Sequence, residues 1–226
     1  MKIGTETLAV LKLFATINSN IVIHSGKKFS TISSSKDIMA DYVGEVEFDN
    51  DISIFNLNEL LGVLSAFDSP EIDLADKFLT VKEGKQKVKY IYADETLLTT
   101  PPKDHSKMDD AIKLAEVEFI FTAANLARIQ KMAGVLAVED LTFIGDGKKI
   151  IARVHDSKNP LGNAFDIDLE TKTTEKFSVD FKVEKMKLFA GQDFDVQISS
   201  KKISKFSAKG LKLETFIAVE STSTFE

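Results

Sequence analysis

An extended run leading into a Phe-headed helical segment occurs twice in this chain. The two segments are Phe55-Asn56-Leu57-Asn58-Glu59-Leu60 and Phe181-Lys182-Val183-Glu184-Lys185-Met186, 126 residues apart. Around each the order of pieces is the same: helix, strands, helix, strands over residues 1–95, and again over 114–220. Identity between the halves is weak, so what repeats is pattern, as expected for two copies of one supersecondary plan. At 226 residues, 43% of them apolar, the chain has enough material for one large core or two smaller ones.

Strand signals dominate. Alternating or β-branched runs stand at Asn20–Ser25, Lys28–Ser33, Lys87–Ala93, Val117–Thr122, Leu141–Asp146, Lys149–His155, Ala164–Glu170, Asp193–Ser199 and Leu213–Glu220. Turn chemistry separates them at Ser25-Gly26, Gly145-Asp146-Gly147, Asn159-Pro160-Leu161-Gly162 and Lys209-Gly210. Helical spacing predicts four helices: Thr5–Ile17, Asn56–Phe67, Thr122–Gly134 and Lys182–Ala190. The clearest stripe is Leu57, Leu60, Leu61 and Leu64; Asn56 and Thr122 are suited to cap the second and third helices. The fold class expected is α+β, with domains at 1–100 and 113–226. Residues 101–112, opening on Pro101-Pro102 and rich in charge, read as an interdomain connector; composition alone equally allows a plain linker.

Net charge is −6, from 29 basic and 35 acidic side chains, which taken as a total argues against a nucleic-acid partner. The distribution argues otherwise. The four expected helices hold Lys12, Arg128, Lys131, Lys182, Lys185 and Lys187 against Glu6, Glu59 and Glu184, a surplus of three, so the remainder carries −9. Arg128/Lys131 and Lys182/Lys185 are each three apart, hence on one helical face opposite the apolar stripe. The plainer alternative is that these side chains simply solvate exposed faces.

Several functions are excluded or left without residues to perform them. With no Cys there is no disulfide, no Cys-ligated zinc and no thiol nucleophile. His24, His105 and His155 show no ligand spacing, and Gly145-Asp146-Gly147-Lys148 lacks the glycine spacing of a phosphate loop and suits a hairpin turn. Asp166/Asp168 and Asp193/Asp195 alternate along strands; each pair could hold a cation or face solvent. No nucleophile–base pair can be nominated, so neither a catalytic site, a metal site nor a cofactor is expected. No run approaches the roughly 18 apolar residues of a membrane helix, and the start, with Glu6 and Lys12 inside its apolar stretch, reads as mature structure.

Three segments carry a family resemblance. Leu11-Lys12-Leu13-Phe14-Ala15-Thr16-Ile17-Asn18-Ser19, followed by an extended run and Ser25-Gly26, resembles the opening of T4-type bacteriophage sliding clamps. Asp51 to Ser65 is similar to that family's second helix with its lead-in, and Val219 to Glu226 to its acidic-aromatic terminus. The similarity spans the chain, loosely over 68–120. It implies a DNA polymerase processivity factor without enzymatic activity: two similar domains per subunit, sheets outside, four helices lining the channel of a head-to-tail homotrimeric ring around duplex DNA. Lys12, Arg128, Lys131, Lys182, Lys185 and Lys187 would then face DNA, while the second helix, with Glu59 and no Lys or Arg, departs from that lining. The resemblance further implies a partner-peptide pocket at Ile32, Ile38, Phe216, Ile217, Ala218 and Val219. Its partners would be a DNA polymerase, a clamp-loader complex and late-transcription factors, in the cytoplasm of an infected bacterial host. Strands near 86–93 and 163–169 are the edges expected to close the ring. A β-rich virion structural protein, and a cytosolic enzyme or ligand-binding domain with a pocket between the halves, are the alternatives.

Overall fold

The computed structural model describes residues 1–226. It divides into two compact units, Met1–Pro102 and Lys103–Glu226. Both are α+β with antiparallel sheets.

The first unit runs α1 (Thr5–Ile17), β1 (Ile21–Ile23), β2 (Gly26–Ile32), β3 (Ile38–Phe48), β4 (Ile52–Ile54), α2 (Leu57–Ser65), β5 (Glu71–Leu74), β6 (Phe78–Glu83) and β7 (Gln86–Ile91). Within it β1 pairs β4, β2 pairs β3, and β5-β6-β7 form a meander. The leucine stripe of α2 is buried at all four positions, and α1 buries Val10, Leu11 and Phe14. The helices pack on each other, and α1 also packs on β3, beside a Phe29–Tyr42–Phe48 ring cluster. Each fully buried leucine contributes about 1.5–3 kcal/mol, so this stripe is what orders α2. Both expected caps form: the Asn56 side chain accepts the Glu59 N–H, and in the second unit Thr122 accepts that of Asn125.

The second unit comprises α3 (Ser106–Ile112), β8 (Val117–Phe121), α4 (Ala123–Leu136), β9 (Asp140–Asp146), β10 (Lys149–His155), β11 (Phe165–Lys172), β12 (Lys176–Lys182), β13 (Phe194–Ser199), β14 (Ile203–Ala208), β15 (Leu213–Ala218) and β16 (Thr224–Phe225). One sheet has the order β11-β10-β9-β12-β16; the other runs β15-β14-β13-β8. Phe143 of β9 sits at the centre of the core, its ring 4.9 Å from Phe119, 5.5 Å from Phe121 and 5.8 Å from Phe181. Gly145 is required at its place in β9, because a Cβ there would come within 2.3 Å of the Phe177 ring.

Two expectations need correcting. No helix spans Lys182–Ala190: Lys182 ends β12, opposite Asp140 of β9, and only a 3-10 turn, Val183–Lys185, follows. The β9 ladder has already claimed this backbone, and the Val183 N–H still bonds to Glu139 O. Beyond the turn Met186 and Leu188 are buried two residues apart, a strand-like spacing that helical geometry could not satisfy. Conversely, the charged stretch read as connector contains α3, whose Ile112 is buried and which packs on β13 and β14. Asp104 starts it by accepting the Ser106 N–H.

Candidate nucleic-acid interface and assembly edges

The exposed face of α4 carries two cations. Leu126, Ile129 and Ala133 are buried, the helix packing on β10 and β11, which turns Arg128 and Lys131 to solvent. Both are exposed, and α4 contains no carboxylate that could pair with them along the helix. Lys12 on α1 is likewise exposed; the only acid on that helix, Glu6, instead accepts a hydrogen bond from Tyr42 Oη at 2.7 Å. Burial, together with this carboxylate, pushes the Tyr42 phenol above its ordinary range.

The other three expected cations differ. Lys182 is committed to Asp140 and Lys185 to Glu220 at 2.8 Å, and each ammonium is largely neutralised by its neighbour. Lys187 makes no ion pair but lies half-buried on an irregular segment. Positive charge is therefore not a property of the helices as a class. Over α1–α4 the four basic residues Lys12, Lys107, Arg128 and Lys131 are matched by Glu6, Glu59, Asp109 and Asp110. The surplus is local, on α4.

The six residues expected to line a peptide pocket are mostly packed. Ile32 and Ile38 flank the β2–β3 turn in the first unit and are buried; Phe216, Ile217 and Val219 are buried in and just after β15 of the second, with only Ala218 half-exposed. Ser33 Oγ accepts the Ile38 N–H and donates to Asp37, which fixes the β2–β3 turn.

Both strands expected at edges are edge strands. β7 ends the β5-β6-β7 meander with almost every side chain exposed, including Lys87, Lys89 and Ile91, the last at 60%. Ser53 accepts the Ala93 N–H, which sets exposed Phe55 beside this edge. β11 ends the other sheet and carries Asp166, Asp168 and Glu170. Arg153 forms two bonds with Asp166 at 2.7 and 2.8 Å and holds that carboxyl below its ordinary range; Lys149 does the same to Asp168. These bridges occupy one candidate cation pair. Two exposed apolar side chains were missed by sequence reasoning: Leu161, 99% exposed, in the loop just before β11, and Val135 near the end of α4. Exposure of single residues has no sequence signature, although Pro160-Leu161-Gly162 marked the loop. No His, Asp or Glu cluster is placed to hold a metal.

Residues 4–99 match the family described as DNA polymerase processivity factor. Over 226 residues the chain is 30% identical to the sliding clamp of Vibrio phage KVP40, covering 98% of this chain and all of that protein. The chain belongs to the phage sliding-clamp family. A second clamp, from Escherichia phage RB69, is 27% identical over 154 residues, which is 67% of this chain and 65% of that one. Among solved structures, A. fulgidus PCNA bound to the C-terminal region of FEN-1 superposes with a TM-score of 0.69 at 13% identity, covering 96% of each chain. That likeness shows the fold, and the α+β architecture of antiparallel sheets with four helices is that of the clamps. No helix is long and apolar enough to cross a membrane.

Proposed function

We propose that three copies of this chain close head to tail into a ring around duplex DNA, each unit serving as one clamp domain and residues 101–112 joining them. The ring tethers a DNA polymerase, and with it other replication and late-transcription proteins, through a hydrophobic peptide pocket. It is opened by a clamp loader, acts in the cytoplasm of the infected host, and performs no chemistry itself. The observation that carries this reading is the face of α4, where Arg128 and Lys131 stand exposed on a helix that contains no carboxylate, in an otherwise acidic protein.

A tether must hold DNA without gripping one site. A few unpaired cations per subunit give sequence-independent, salt-dependent attraction to phosphates, while topology provides retention. Lys12 and Lys187 supplement α4; Lys182 and Lys185 contribute less, since each already faces a carboxylate. The remaining acidic surface repels DNA and favours the channel.

Closure needs two different edges. β7 offers Lys87, Lys89 and exposed Ile91; β11 offers acidic residues, with Leu161 beside it. The exposed apolar flanks, Ile91 on β7 and Leu161 beside β11, favour β7 of one copy against β11 of the next, and pairing them removes two open edges at once.

The test is topological. Loaded onto a nicked circular plasmid, the protein should co-elute with the DNA, and cutting the plasmid once should release it. Arg128→Ala/Lys131→Ala should assemble normally yet load less well, with a shallower salt dependence of loading, by about 0.9 log unit for each phosphate that is no longer neutralised. Equal retention on circular and linear DNA would overturn the reading.

A further inference from the structure

The last seven residues cover a sheet edge that is otherwise open. Without them β12 would be the outer strand of its sheet. Phe225 pairs with Phe177 and Thr224 with Ser178, and the Glu226 N–H reaches Lys176 O. Asp180 is the hub of the contact. Its N–H donates to Ser223 Oγ at 2.8 Å, its carbonyl accepts the Glu220 N–H, and its carboxylate accepts the Thr222 hydroxyl at 2.6 Å. That carboxylate also accepts from Thr142, whose oxygen lies 2.8 Å from His155 Nε2. Lys202 Nζ holds Ser223 O and Lys185 holds Glu220.

These anchors are almost all polar. Of the seven residues only Ser223 is buried, and Phe225, the single large apolar side chain, is half-exposed. A hydrogen bond contributes about 0.5–1.5 kcal/mol net because water competes for it, so such a segment is held far less firmly than a core strand. Only two residues make ladder pairs. The cover is thus specific in chemistry but shallow in depth.

We propose that residues 220–226 are a displaceable strap, and that the β12 edge beneath them docks an extended peptide from a client protein. The occupant is defined by what the strap already satisfies: a hydroxyl side chain opposite Asp180, an aromatic opposite Phe177 and a carboxylate within reach of Lys185. Strand addition at an edge takes affinity from main-chain bonds and selectivity from such side-chain positions. The proposal rests on the tethering function only in assigning the incoming peptide to a client; the edge exchange is tested without DNA or polymerase.

A strap on a short tether competes at an effective concentration of about millimolar, so free peptide cannot replace it unless the strap is weakened. The probe is a labelled synthetic peptide of the sequence 220–226, titrated against the full chain by fluorescence polarisation. Phe225→Ala should bind it about tenfold more tightly than the unsubstituted chain, and a probe with Ala for its own Phe should bind neither. Amide exchange gives the second readout. The Asp180 N–H should exchange faster in Phe225→Ala and regain protection with peptide, while Val179 and Phe181, which face β9, stay protected and report an intact fold. Should Phe225→Ala fold poorly, Thr222→Ala removes one strap bond at an exposed position and should shift both readouts the same way. Equal peptide affinity with and without the substitutions would overturn the proposal, as would peptide capture that leaves Asp180 exchange unchanged. Self-association of the weakened chain in place of peptide capture would also overturn it.

Discussion

A single buried carboxylate shows how charge in this protein is divided between structure and function. Asp140 begins β9 and is buried. Burial pushes its carboxyl up, but the Lys182 ammonium and the Ser157 N–H, 2.9 Å away, outweigh that, and the net displacement is downward. Lys182 is therefore needed where it stands. Replacing it with Met should destabilise the fold by about 2 kcal/mol, less than the 3–5 of a fully buried pair because the lysine side chain is 30% exposed. A carboxylate held below its unfolded value contributes stability above the ordinary aspartate range and loses it as pH falls through the depressed value. The gap between wild type and Asp140→Asn in urea midpoint should accordingly be wide at neutral pH and narrow only as pH falls below the ordinary aspartate value of 3.8. A gap that persisted in acid would show that packing, and not the charge, is what Asp140 provides.

At the scale of elements the helices form where local signals agree. α2 and α4 each have an apolar stripe of helical period and a side-chain cap, and both are found within a residue or two of where the spacing put them. The caps themselves can be weighed: Asn56→Ala and Thr122→Ala should each cost about 1 kcal/mol, read as faster amide exchange in the first turn of the affected helix only. The absent helix at 182–190 fails for the complementary reason. Its residues have acceptable propensity, but Lys182 is already paired with Asp140 of β9, some 40 residues earlier in the chain, which takes the start of the expected helix into a strand, and no local window contains that information. α3 was illegible because it is short, strongly charged and buries only Ile112. The candidate site divides on the same line. Arg128 and Lys131 could be read from their spacing on one capped helix, whereas the neutralisation of Lys182 and Lys185 by Asp140 and Glu220 depends on tertiary contacts. Edge strands were legible as strands with charge on alternate positions; the exposure of Leu161, Val135 and Phe55 was not.

For the whole molecule, the decisive property is that the two edges proposed to meet, β7 and β11, differ. A like-with-like contact pairs a surface with its own copy and stops at a dimer, whereas a head-to-tail contact must close into a ring or grow into a filament. If β7 of one copy meets β11 of the next, as proposed, the contact joins two unlike edges, and the assembly it builds is polar. Two substitutions at exposed sites separate the possibilities without disturbing the core. Ile91→Glu sets a carboxylate in place of the apolar flank of β7, and Leu161→Glu does the same beside β11, so each breaks the apolar contact and the two damaged edges repel one another. Each variant alone should sediment as a monomer, because every contact in a homogeneous ring uses both edges. Mixed in equal amounts they should form a heterodimer and nothing larger: the sound β11 edge of the first engages the sound β7 edge of the second, and the two damaged edges terminate the assembly. A like-with-like interface predicts the reverse, since one variant alone would keep its intact edge and dimerise with itself. Sedimentation velocity of the two variants, separately and together, distinguishes these outcomes, and homodimers of either variant would rule out head-to-tail closure through β7 and β11.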